Sequence, residues 1–166
     1  MKTAMAVLTC VVASLVAGGA LAQSALPDPS QTPGMINAAV TPATIGTTIC
    51  VRGWTRTVRP PVEFTEELKR RQIGTFGYRD RRLGDYEEDH LIPLELGGDP
   101  SDSRNLWPEP RVAPGGWGAD RKDELEWVLN RLVCAGRLPL HEAQRAIATD
   151  WIAAYRRYVG SAADPD

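Results

Sequence analysis

The sequence predicts an α+β fold, and three observations carry that prediction. Residues 85–96 and 105–107 read as two extended, apolar-bearing segments separated by Gly97-Gly98 and the polar run Asp99-Pro-Ser-Asp-Ser, so the chain goes out, turns and returns. Leu125, Val128, Leu129, Leu132 and Val133 recur at helical spacing, and so do Ala143, Ile147, Trp151, Ala154 and Tyr158. With 166 residues the chain suits one domain with a single core.

From the N-terminus, Lys2 precedes the uncharged run AMAVLTCVVASLVAGGALA, which ends in the small-residue pattern Ala20-Leu21-Ala22. Residues 1–22 therefore read as a secretory signal peptide cleaved after Ala22, because the strongly apolar core is too short for the ~20 residues of a spanning helix. The expected product is secreted or periplasmic, without a membrane anchor. Cleavage removes Cys10 and leaves Cys50 and Cys134. In an oxidising compartment these two should pair, contributing on the order of 4 kcal/mol in the chain-entropy account.

Residues 23–47, rich in Pro, Ala, Thr and Gly, read as a flexible arm. TTICVRGWTRTV, residues 47–58, carries β-branched residues and predicts an additional N-terminal strand ended by Pro60-Pro61. Thr65 then caps a short helix to about Gln72, with Glu66 and Glu67 in its first turn and Lys69, Arg70 and Arg71 in its last. After the out-and-back ribbon, one helix is expected from Ala119 to about Ala135, stopped by Gly136, and a C-terminal helix from about Leu140 to Val159. The domain is thus expected to span 48–160, with 161–166 expected as a disordered tail.

Charge is uneven along the chain. Losing Lys2 takes the formal charge from −2 to −3, which does not by itself mark a nucleic-acid binder. Yet residues 52–82 carry nine Arg and Lys against four acids, while 83–110 carry eight acids against Arg104 alone. A basic segment beside an acidic one suits a phosphate-binding surface flanking a cation site.

The chemistry concentrates in EEDHLIPLELGGDPSDSRNLWPEP, residues 87–110, which holds one of two histidines directly after three acids. A ribbon can bring Asn105 back beside Asp89 and His90. An Asp carboxylate and an Asn amide oxygen suit Mg²⁺, with Mn²⁺ or another divalent ion as a substitute. A partly neutral imidazole can take a proton from water. Metal, base and phosphate together describe phosphodiester hydrolysis.

DHLIPLELGG followed by NLWP resembles the HNH nuclease motif, the ββα-metal finger, over residues 86–110 and on to about 135. The resemblance implies Asp89 as metal ligand, His90 as general base, and Asn105 as a second ligand or as the group that orients His90. Pro93 and the Gly pair are also family-like. The family's third His or Asn on the helix has no counterpart in register here; His141 lies in the next helix and reads as exposed, and paired CxxC zinc knuckles are absent from the sequence. Lys122 lies roughly 60° from Leu125 around the helix, on the ribbon side, and Arg121 roughly 40° the other way, whereas Asp123 lies roughly 160° away. Lys122 is therefore expected to contact the scissile phosphate, with Arg121 and Arg104 as further substrate contacts. Glu87 and Glu88 read as a solvated acidic edge, and Trp107 and Trp117 as packing around the ribbon.

The expected activity is an exported, metal-dependent endonuclease of low sequence specificity, cutting DNA and in second place RNA. The alternatives are an HNH-like nucleic-acid-binding or protein-interaction module without turnover, and an exported nuclease toxin, which would be accompanied by an immunity protein.

Overall fold

Five residue pairs, Tyr86 with Pro110 through His90 with Leu106, join β1 (Tyr86–His90) and β2 (Leu106–Pro110) into an antiparallel two-stranded sheet. A computed structural model describes residues 24–160 of the chain. Among the described residues the ribbon is preceded by α1 (Trp54–Val58) and α2 (Val62–Thr75) and followed by α3 (Ala119–Cys134) and α4 (Leu140–Tyr158), with short 3₁₀ turns between. The α+β class is thus observed, and none of these helices is long and apolar enough to cross a membrane. The expected signal peptide and C-terminal tail lie outside the described residues.

Strand alternation gives the ribbon two faces. Glu87, Asp89, Trp107 and Glu109 share one, and Lys122 from α3 reaches Asp89 there. Tyr86, Glu88, His90 and Leu106 share the other, toward α2, whose Gln72 amide donates to the Leu106 carbonyl at 2.9 Å. The core lies mainly beyond the ribbon's end. Leu125, Leu129 and Val133 of α3 meet Ala143, Ile147, Trp151 and Ala154 of α4, with Ile92 and Leu96 of the inter-strand loop and Val40 and Ile49 closing the cluster. Each fully buried Leu or Ile stabilises by roughly 2 kcal/mol relative to exposure.

α3 ends where its sequence predicts: Gly136 takes φ 68° and its N–H bonds the Val133 carbonyl. α4 is interrupted at Asp150, whose extended backbone (φ −162°, ψ 94°) lets its carboxylate accept from the Ala153 N–H at 2.9 Å and restart the helix. Cys50 and Cys134 form the disulfide, 5.5 Å apart at Cα, tying the chain before α1 to the end of α3.

Three expectations are corrected. The strand over 47–58 does not form: a 3₁₀ turn, Ile45–Thr47, and α1 take its place. Its threonines satisfy local carbonyls instead, Thr48 Oγ1 donating to Thr44 O at 2.7 Å, and Gly53 turns the chain at φ 85°. The segment from residue 24 onward is not a loose arm. Gly34 N–H bonds Arg104 O, Asn37 N–H bonds Gly97 O, Asp99 N–H bonds Met35 O, and Val40 is buried, so backbone bonds that leave no periodic signature strap it to the inter-strand loop. The helix expected from Thr65 begins at Val62 after Pro61, and Thr65 Oγ1 donates within it to Val62 O.

Gly98 is the tightest point of that loop, since a Cβ there would lie 1.7 Å from the Ile92 carbonyl oxygen. Gly98→Ala is expected to lower stability by roughly 3 kcal/mol, while Gly84→Ala, at a position open on all sides, changes it by less than about 0.5 kcal/mol. Parallel urea titrations of the two variants check the difference.

Candidate functional site

Asn105 immediately precedes β2 and is fully buried, at 0% exposure. Its amide oxygen accepts from Ile92 N–H at 3.0 Å and Met35 N–H at 3.2 Å, and its amide nitrogen donates to Ile92 O and Asp99 O, both at 3.0 Å. Its own carbonyl accepts from Leu91 N–H at 2.7 Å. A side chain with all four bonds to backbone fixes the loop from 91 to 105 and the strap before α1. Its oxygen does not face Asp89.

His90, the last residue of β1, is 4% exposed, and its Nε2 lies 3.0 Å from Pro100 O, a carbonyl that the Asn105-held loop brings over the ring. A carbonyl only accepts, so Nε2 carries the proton and Nδ1 has the lone pair. Burial holds the imidazole below its usual range; the Asp89 charge opposes this, and the Arg59 and Lys122 charges add to the lowering. His90 is therefore neutral near pH 7. Arg59, at the end of α1, is exposed.

On the opposite face, Asp89 has a side chain 21% exposed and accepts from Lys122 Nζ at 2.5 Å. Lys122 itself is 0% exposed. Its ammonium also donates to His90 O at 2.9 Å and to Glu126 Oε1 one turn further along α3. Glu109 shares a hydrogen bond with Asp89 and keeps its other oxygen, Oε1, buried without a partner. Burial raises Asp89, but Lys122 and His90 outweigh it and the net direction is down. Burial pushes Glu109 and Glu126 well above the usual carboxylate range, so Glu109 carries the proton between the two acids.

The expected site residues thus divide. Lys122 points at the ribbon as its helical position implies, yet it contacts the Asp89 carboxylate and not open surface, which corrects its expected role on phosphate. Arg121 turns to α4, donating to Tyr155 Oη at 2.9 Å, and Arg104 is forked onto Asp102 at 3.0 and 2.6 Å. Asp123 is exposed, as its helical position implies, and partial burial of its carboxyl together with the Asp89 charge pushes it up to about 6. Glu88 is not a solvated edge: both its oxygens are buried without hydrogen-bond partners, and burial drives its carboxyl up to about 9. Trp107 is fully buried and Trp117 packs edge-on against Trp151 and Tyr155. His141 is exposed at the start of α4.

The sequence reading missed the parts played by Glu109, Glu126 and Pro100. Glu126 was findable as the i+4 neighbour of Lys122. Glu109 required the strand register, and Pro100 required the loop path.

The donor set can be tested against the divalent ion that the HNH resemblance implies. The Asn105 oxygen is taken by two N–H groups, the place beside Asp89 is filled by an ammonium, and among the described residues no three His, Cys, Asp or Glu side chains converge as a metal-holding group. As placed, these residues do not fit Mg²⁺ between Asp89 and Asn105.

Asn105→Asp removes both donors from the loop and sets a carboxylate against two carbonyls. A loss on the order of 3 kcal/mol is expected in a thermal or urea melt. Glu88 gives a pH signature. Its folded pKa, about 9, lies above the ordinary 4.5, so its contribution is complete below 4.5 and is lost as pH rises toward 9. Urea titrations across that window are expected to show Glu88→Gln gaining on the unsubstituted chain with a slope of up to about 1.4 kcal/mol per pH unit, the two converging at acid pH. No protein-family model, no curated protein and no solved structure matches this chain.

Proposed function

We propose that the chain is an endonuclease of the HNH kind, hydrolysing phosphodiester bonds of DNA, and of RNA in second place, with little sequence preference. The reading rests on the order β1, loop, β2, α3 with Asp89-His90 at the end of the first strand. The single observation that carries it is the imidazole of His90, neutral and fixed through Nε2 to Pro100 O. A histidine so held keeps the lone pair on Nδ1, the group that can accept a proton from water.

In this mechanism Nδ1 takes a proton from water, the resulting hydroxide forms a bond to phosphorus, and the ester oxygen on the far side leaves and is protonated from solvent. Asp89, whose charge acts on the ring from the other face of the strand, favours the imidazolium that forms. Arg59 is the exposed cation nearest in effect to the ring, and it and the basic segment around it supply charge for phosphate oxygens. With the expected signal peptide, the enzyme would act outside the cytoplasm, as a scavenger of nucleic acid or as a toxin paired with an immunity protein.

One observation favours a second reading. Lys122 already neutralises Asp89, which suits an HNH-like module that binds nucleic acid or a protein without turnover. Plasmid nicking in buffer containing Mg²⁺ and Mn²⁺ separates the two. The nuclease reading expects cleavage that falls at least about 100-fold in His90→Ala while the variant's melting curve remains cooperative. Equal rates for the two proteins would end it. Plasmid retained in a gel shift but never cut would favour the module.

A further inference from the structure

Lys122 raises a question that the nuclease reading leaves open. An ammonium taken wholly out of water costs several kcal/mol unless each of its donors is satisfied. Lys122 Nζ has three donors, and they meet three oxygens: Asp89 Oδ2 at 2.5 Å, His90 O at 2.9 Å and Glu126 Oε1. Carboxylate and main-chain carbonyl are the ligand types of a hard cation. Glu109, buried beside Asp89 with Oε1 unpartnered, adds a third acid to the group. Asp89, Glu126 and one main-chain carbonyl thus hold one fixed positive charge delivered by α3, with Glu109 behind Asp89.

We propose that the Lys122 ammonium is the resident cation of this site, occupying the position against Asp89 that the HNH resemblance gives to a divalent ion and keeping such an ion off Asp89. The proposal concerns which cation holds the ribbon to α3, so it stands or falls apart from whether the protein cuts nucleic acid. It has two consequences. The unsubstituted protein holds its seam with no metal, and removal of the ammonium leaves a carboxylate cluster open to Mn²⁺.

The test uses the purified protein without nucleic acid, read by Mn²⁺ electron paramagnetic resonance and by melting temperature. The unsubstituted protein is expected to melt identically in chelator and in millimolar Mn²⁺ or Mg²⁺, and to bind no Mn²⁺ that Asp89→Asn removes. Lys122→Met is expected to melt lower in chelator, to bind Mn²⁺ at least tenfold tighter than the unsubstituted protein, and to lose that binding when Asp89→Asn is added. Mn²⁺ bound by the unsubstituted protein and lost in Asp89→Asn would overturn the proposal, as would a folded Lys122→Met variant with no gain in Mn²⁺ affinity. Should Lys122→Met not fold, the comparison of the unsubstituted protein with Asp89→Asn decides alone. Mn²⁺ that survives Asp89→Asn is bound elsewhere and agrees with the proposal.

Discussion

One amide side chain fixes the geometry on which the rest of this fold depends. Asn105 closes the loop between the strands with four bonds to backbone, two of them to the N–H and C=O of the single residue Ile92. Because Asp99 O and Met35 N are its other partners, the same side chain sets the turn that carries Pro100 and the strap that covers it. His90 owes its hydrogen bond to that turn. A buried polar group of this sort contributes little net free energy when satisfied and costs much when broken, so it specifies one conformation more than it stabilises.

The ribbon's two faces solve different electrostatic problems. Toward α2 the carboxyl of Glu88 is buried with no partner and stays protonated. Toward α3 the Asp89 and Lys122 charges are kept and paired, and Glu126, which burial pushes well above the usual carboxylate range, lies against the same ammonium. His90 is on the first face yet feels the Asp89 charge of the second, because it ends the strand where the two faces meet. Neutral imidazole and ionised carboxylate therefore lie next to each other in the chain without forming an ion pair, which is the state the proposed base requires.

What the sequence made legible follows the strength of local signals. The stripes of α3 and α4, the stop at Gly136, the out-and-back ribbon and the pairing of Cys50 with Cys134 were all readable from spacing and residue type. The strand expected around Cys50 was not there, because β-branched residues make a strand only beside a partner, and among the described residues the two strands pair with each other alone. The packed path of residues 24–47 depends on backbone bonds to a loop about 60 residues later, and composition does not carry such information. At the site, helical geometry placed Lys122 correctly but not its partner: whether it met phosphate or carboxylate depended on the strand register, which also decides that Glu109 shares the Asp89 face. Asn105 was found by its position and misread in its role, since residue type alone does not say whether an amide faces a ligand or the main chain.

The account turns on the protonation of one ring. Long-range ¹H–¹⁵N correlation spectra of His90, recorded near pH 7 and compared with His90→Ala for assignment, report which nitrogen carries hydrogen. The geometry predicts a neutral ring with the proton on Nε2 and a bare Nδ1. A ring protonated on both nitrogens, or on Nδ1 alone, would contradict it and remove the base from the proposed reaction.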